Sequence, residues 1–277
     1  LKKKNIKLMN YTEDKIDDEV IEYFLKENLN QYIDVYDKLE YKYEYTDPNF
    51  GVSIDNKIPY PPDIPDLVRL HKLVRTRKSF TILECGLGYS TLIMADALFK
   101  NKNDYMKLEE KPNIRCNNLF EIHSVDSEEY WVEVIRKKIN NFENIKDLIY
   151  IKYSECEIGK FNDRMCSYYK NMPDIVPDFI YLDGPSASSV KNNINSLSFQ
   201  CLDRTIITGD LLLMEPTFVP GLFIIIDGRI NNSYFLKNNF QRKYKYNRDY
   251  DNDISTFELI DDSLGIYNTK KLNFVNT

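Results

Sequence analysis

Histidine is scarce in this chain of 277 residues, with only His71 and His123. Cysteine is limited to Cys85, Cys116, Cys156, Cys166 and Cys201, an odd and scattered set with no C-x-x-C. These absences argue against a His-rich metal centre, a thiolate zinc site and a disulfide framework. Reduced, dispersed thiols suit a cytoplasmic protein. No apolar run reaches the length needed to span a bilayer. Behind the basic start Leu1-Lys2-Lys3-Lys4 there is no apolar core or small-residue cleavage site, so no secretory signal is expected. Positive charge is not in excess: Lys+Arg is 37 against Asp+Glu 43, a net charge of −6. A general nucleic-acid binder, which needs a basic face, is therefore disfavoured.

The chain divides into an N-terminal helical extension with a proline connector (residues 1–65) and an α/β domain (66–277). In the extension Ile16, Val20 and Phe24 recur every four residues, and Ile21, Leu25 and Leu29 form an adjoining stripe. That spacing predicts an amphipathic helix, with Thr12 as N-cap. A weaker helix is expected through Ile33, Tyr36 and Leu39, before Tyr41–Tyr45. The apolar stripe suits a packing surface, a homodimer interface or a lid. Pro59 to Pro65 reads as a rigid connector. A short helix from Asp66 follows, with Leu67, Leu70 and Val74 on one face. Arg75, Arg77 and Lys78 close it as structural complements to its dipole.

From residue 79 strand and helix patterns alternate, which predicts a doubly wound, mostly parallel sheet with helices on both faces. Strands are expected at Phe80–Cys85, Phe120–Val125, Leu148–Lys152, Phe179–Leu182 and Leu222–Ile226. Helices are expected at Thr91–Phe99, Glu128–Asn140, Ser188–Gln200 and Asn231–Asn239. Gln241–Tyr250 and Thr256–Ile260 read as a closing strand pair. Lys100–Asn118 reads as an exposed insertion. Gly209–Gly221 is long for a connection and is expected to carry part of a substrate pocket.

The first strand runs Thr81-Ile-Leu-Glu84-Cys-Gly86-Leu-Gly88-Tyr-Ser90-Thr91 into a helix. Gly86 and Gly88 permit a sharp turn and close approach of a ligand. Glu84, at the strand's carboxyl end, repels phosphate and attracts a cation or hydroxyls. The dinucleotide fingerprint requires a third glycine; here Ser90 and Thr91 follow instead, which favours an uncharged or cationic adenosine compound over a pyrophosphate. Acids also end the later strands: Asp126 the second, Glu155 just beyond the third, Asp183 the fourth and Asp227 the fifth. Strand ends of a doubly wound sheet line one crevice. Asp126, followed by Ser127, suits either a ribose diol or the cap of the next helix. Asp183 suits a proton acceptor, a metal ligand or a turn residue. Asp227-Gly228-Arg229 suits a second metal or substrate anchor, with Arg229 gripping an anion, or a structural Asp–Arg pair.

Glu84-Cys-Gly-Leu-Gly-Tyr-Ser-Thr, then His123-Ser-Val-Asp126, then Phe179-Ile-Tyr-Leu-Asp183-Gly-Pro resemble, in order, the motifs of class I S-adenosylmethionine-dependent methyltransferases. The likeness spans about residues 79–260 and implies a Rossmann-like fold. It implies that Glu84, Gly86 and Gly88, with Ser90 and Thr91, surround the methionine part of S-adenosyl-L-methionine. It implies that Asp126 and Ser127 hold the ribose and that Ser154 and Glu155 lie near the adenine. It puts Asp183 at the methyl-transfer end, with Tyr181, Asp227 and Arg229 toward the acceptor.

Metal-dependent members end the fifth strand in Asp-Asn. Here Gly228 follows Asp227, so a metal-free base at Asp183 stands beside a magnesium-type ion held by Asp183 and Asp227. The acceptor expected is a hydroxyl, or an amine, of a small or sugar-containing molecule. The alternatives are a non-catalytic nucleotide-binding module on the same fold, an NAD-dependent dehydrogenase, and a nucleic-acid methyltransferase. Against the last, the fourth strand lacks an Asn/Asp-Pro-Pro-aromatic run.

Overall fold

The computed structural model describes residues 17–33, 62–201 and 203–277. Thr12, Ile16, Tyr36, Leu39, Tyr41–Tyr45 and the Pro59–Pro61 part of the connector lie outside the described residues.

Five apolar strands form the parallel part of the sheet: β1 (Thr81–Cys85), β2 (Glu121–Asp126), β3 (Ile149–Tyr153), β6 (Phe179–Leu182) and β8 (Phe223–Asp227). A hairpin, β4 (Cys156–Phe161) and β5 (Arg164–Tyr169), and the short β7 (Val190–Lys191) form a second sheet of three strands. The closing pair is β9 (Tyr244–Asp249) and β10 (Ile254–Leu259). The main sheet has seven strands in the order β3-β2-β1-β6-β8-β10-β9. β10 runs antiparallel between β8 and β9. It is a doubly wound, Rossmann-like sheet.

Side-chain alternation splits the core. Ile82, Ile122, Phe179, Tyr181 and Ile225 face one layer, built from α1 (Asp18–Lys26), α2 (Ile64–Thr76), α3 (Tyr89–Met106) and α4 (Glu129–Ile139). Leu83, Ile180, Leu182, Ile224 and Ile226 face the other, built from α5 (Asp210–Met214), α6 (Ile230–Asn239) and the three-stranded sheet. α7 (Ile266–Asn276) closes the opposite edge, where Phe274 packs on Phe80 and Tyr105.

The five parallel strands and the closing pair lie within one or two residues of the expected positions, apart from the start of the pair. Two expectations are corrected. Ser188–Gln200 is not a helix; it holds a 3-10 turn, β7 and loop. Its serines and asparagines bond locally instead, and Asn192, Asn195 and Ser196 take positive φ. Lys100–Met106 is not insertion but the last part of α3, because buried Asn101 donates to the carbonyls of Val74 and Ser79. Gly209–Gly221, the long connection expected to carry part of a substrate pocket, is filled by α5 and a 3-10 turn, with Leu211 and Leu212 buried.

The helix expected from Thr12 begins at Asp18, with Asp17 accepting a bond from the Glu19 amide at 3.0 Å. Phe24 and Leu29 of the stripe, with Tyr32 and Ile33, join the same core as α2 and α3, Val20 and Ile21 are partly buried, and Leu25 is exposed. α2 starts at Ile64, two residues before the expected Asp66, because Asp63 caps it through the Asp66 amide. Arg75, Arg77 and Lys78 are structural: they bond Asp104, Glu258 and the Phe274 carbonyl. Among the described residues no helix is long and apolar enough to cross a membrane.

Candidate functional site

The chain winds outward from β1 through β2 to β3, then returns to β6 on the other side of β1. Ligand crevices open at such a reversal, above the carboxyl ends of the strands. Two glycines meet there. Gly86 has φ +99, and a Cβ on it would lie 2.8 Å from the Gly184 nitrogen. The β1 and β6 loops thus touch backbone to backbone, and the Asp183 amide donates to the Cys85 carbonyl at 2.9 Å. Gly88 differs: a Cβ there would meet nothing nearer than Ser90 Oγ at 3.7 Å. The chain leaves open space above the start of α3.

Glu84 is fully buried and accepts bonds from three hydroxyls. Ser90 Oγ lies 2.6 Å away, Thr91 Oγ1 2.7 Å and Ser124 Oγ 2.6 Å. Burial pushes its pKa up to about 7 against the pull of those bonds. Thr91 also accepts from the Gly88 amide at 3.2 Å. Glu84, Ser90 and Thr91 therefore brace the loop from beneath. Ser124 belongs to this set; its alternation along β2 toward Glu84 was the available sequence signal.

Asp126 draws the loop to β2. Its Oδ2 accepts from the Leu87 amide and its Oδ1 from the Glu128 amide, both at 2.8 Å. It thus ties the glycine loop and also serves the start of α4. Burial raises its pKa while those amides oppose the rise. Each carboxylate oxygen retains acceptor capacity. Ser127 Oγ lies 2.6 Å from Ser189 Oγ.

Two residues expected near the adenine are otherwise engaged. The Ser154 hydroxyl, buried, accepts from the Asn171 amide at 2.9 Å and donates to the Glu155 carbonyl. Glu155 pairs with Lys170 at 2.9 Å and with Lys191; those bonds hold its pKa down to about 2.

At the other side of the crevice the pairing of Leu182 with Ile226 sets Asp183 beside Asp227. Asp183 is half-exposed, with Arg229 Nε 3.7 Å from its Oδ1. Its recessed position raises its pKa, and Arg229 opposes the rise. Arg229 is not poised for a substrate anion: its guanidinium donates to the carbonyls of Asp183 and Pro185 and clamps that loop. Tyr181 is buried and donates to Asp227 Oδ2 at 2.9 Å. Burial, then Asp183, pushes Asp227 up to about 6. Asp66, at the start of α2, is likewise pushed up to about 6 by burial and then by Asp227. Its closeness to Asp227 was invisible in the sequence, since 161 positions of chain separate them. Among the described residues no group of three His, Cys, Asp or Glu side chains is arranged to hold a metal ion, so Asp183 and Asp227 lack a third such ligand.

A cavity of about 670 Å3 lies at the opposite edge, beside α7. Two charged pairs stand in its walls, Arg77 with Glu258 at 2.9 Å and Lys271 with Asp178 at 2.7 Å.

No family model and no curated protein matches the chain. Solved structures do. The O-methyltransferase TomG from Streptomyces achromogenes, in complex with S-adenosylmethionine, is 13% identical, covering 73% of this chain and 82% of its own, with a TM-score of 0.39. An O-methyltransferase from Bacillus cereus, in complex with S-adenosylhomocysteine, is 15% identical, covering 84% and 97%, with a TM-score of 0.40. The methyltransferase PaMTH1 from Podospora anserina, bound to S-adenosylhomocysteine, is 11% identical, covering 89% of each chain, with a TM-score of 0.43.

Proposed function

We propose that the chain is a class I S-adenosylmethionine-dependent methyltransferase acting on a hydroxyl, or an amine, of a small or sugar-containing acceptor. The observation that carries this reading is the crevice at the β1–β6 reversal. Space is left open at Gly88, and carboxylates rather than cations stand at the strand ends. A pyrophosphate would meet Asp126 and Asp183; an adenosine sulfonium would not be repelled. The residues fit such a cofactor. Asp126 has acceptor capacity for the ribose, and Gly86 and Gly88 form the floor along the methionine part.

The bound cofactor supplies an electrophilic methyl group, so the protein need only align a nucleophile and accept its proton. Asp183 takes that proton, and its recessed position together with the Asp126 carboxylate raises its affinity for it. Arg229 holds the Asp183 loop in position. A divalent ion on Asp183 and Asp227 is the weaker reading, since Gly228 offers no ligand.

Calorimetry with S-adenosylmethionine, S-adenosylhomocysteine and NAD tests the proposal. Binding of the first two and not the third is expected; tight NAD binding alone would overturn it. Asp183→Asn should keep cofactor affinity and abolish methyl transfer, scored as S-adenosylhomocysteine release. Activity that survives chelation supports the base, and activity restored by magnesium supports the ion.

A further inference from the structure

The turn between β9 and β10 stands at the same edge as the crevice. Ile254 pairs with Asp227, and the Gly228 amide donates to the Asp253 carbonyl at 2.9 Å. Arg69 of α2 bonds both Asn252, at 2.8 Å, and Asp66. The turn, the start of α2 and Asp227 therefore ring one mouth.

The turn displays aromatic surface. Tyr250 is 74% exposed and Tyr234, on α6, is 41% exposed. Ser233 Oγ of α6 lies 3.2 Å from Tyr246 Oη of β9, and the Tyr234 and Tyr250 phenols are close enough to influence one another electrostatically. The Arg248 guanidinium lies 5.3 Å from the Tyr250 ring centroid and donates to Asp253. Its side chain is only 6% exposed, yet its Nε has no hydrogen-bond partner. The turn is braced from within: the Asp249 carboxylate accepts from the amides of Asp251 and Asn252, both at 3.1 Å, and from Asn252 Nδ2 at 2.7 Å. Asp251 is exposed, and no bond to its carboxylate is made among the described residues.

We propose that Tyr234 and Tyr250 are a saccharide-stacking platform at the acceptor side of the crevice, which makes the acceptor a sugar-containing molecule. This rests on the methyl-transfer reading. Tyrosine offers a flat apolar face with a polar tip, suited to a ring that is apolar on its C–H face and polar at its rim. Asp251 and the outer oxygen of Asp227 accept hydroxyl protons, which a sugar supplies and a plain aromatic ring does not. The same carboxylates repel phosphates and carboxylates. Because Asp249 fixes the turn before any ligand arrives, little ordering is left for binding.

The experiment is saturation-transfer NMR on the full chain with the methyl glycosides of glucose, galactose, mannose and N-acetylglucosamine, and with benzyl alcohol. At least one glycoside should receive saturation at its ring C–H protons. Tyr250→Ala should reduce that signal ~5-fold, the scale of a lost aromatic contact. Tyr250→Phe should retain most of it. Tyr267→Ala, at an exposed tyrosine on α7, should leave it unchanged. Saturation of benzyl alcohol alone, or of no probe, overturns the proposal, as does a glycoside signal that survives Tyr234→Ala/Tyr250→Ala. Cofactor calorimetry on the same samples separates the two readings. Cofactor binding without glycoside contact removes the platform only; glycoside contact without cofactor binding removes methyl transfer only.

Discussion

Gly86 and Gly184 each occupy the space that the other's side chain would need. A Cβ on Gly184 would lie 2.6 Å from the Gly86 nitrogen, and one on Gly86 would lie 2.8 Å from the Gly184 nitrogen. Both obstacles are backbone, which no rotamer change relieves.

The two glycines of the β1 loop are therefore expected to respond differently to alanine. Gly86→Ala adds a clash and a strained positive φ, and should cost about 1–3 kcal/mol of stability in urea unfolding. Gly88→Ala meets no protein atom closer than 3.7 Å and its φ of −176 suits any residue. It should fold as the parent does and lose cofactor affinity in calorimetry. Equal stability loss in both variants would contradict this division.

Asp126 both receives the loop amides and offers its remaining lone pairs to the crevice. Asp126→Ala should weaken binding of S-adenosylmethionine and S-adenosylhomocysteine by roughly 1.5–3 kcal/mol, as for a hydrogen-bonded charged group. An unchanged Kd would remove the ribose assignment.

Glu84 makes stability depend on pH. Its folded-state pKa of about 7 lies above the ordinary glutamate value of about 4.3. The unfolded chain loses this proton at lower pH than the folded chain does. The Glu84 contribution to stability is thus fully present below about pH 4, falls as pH rises toward 7, and levels off beyond. The full span is roughly 4 kcal/mol. Glu84→Gln should flatten the Glu84 part of a denaturation series between those limits, and an unchanged slope would count against the assignment.

Asp96 anchors the N-terminal segment to the sheet domain. It is almost wholly buried and accepts from Tyr32 Oη at 2.8 Å, pairs with Lys100 at 2.7 Å and meets His71 Nε2 at 3.0 Å. Asp96→Ala strands two buried partners and should cost roughly 3–5 kcal/mol. Tyr32→Phe removes one bond and should cost about 1 kcal/mol. Denaturation midpoints that place the two losses in the reverse order would show that the segment is held by apolar packing instead.

The positions of the main-sheet strands, the glycine loop and the strand-end acids are written locally. A short apolar run bounded by Gly or Asp, as at Glu84–Gly88 or Ile224–Asp227, needs only its own neighbours to be read. The β4–β5 hairpin was not read from the sequence; in the structure its Asn162 and Asp163 both take the positive φ of a two-residue hairpin loop. Which acids act together could not be read locally. Asp66 joins Asp227, Arg229 turns to backbone carbonyls, and Glu155 is spent on two lysines. Each of these depends on distances between segments far apart in the chain. A side chain's role is set by which partner satisfies it first, and only the packed sheet brings those partners within bonding distance.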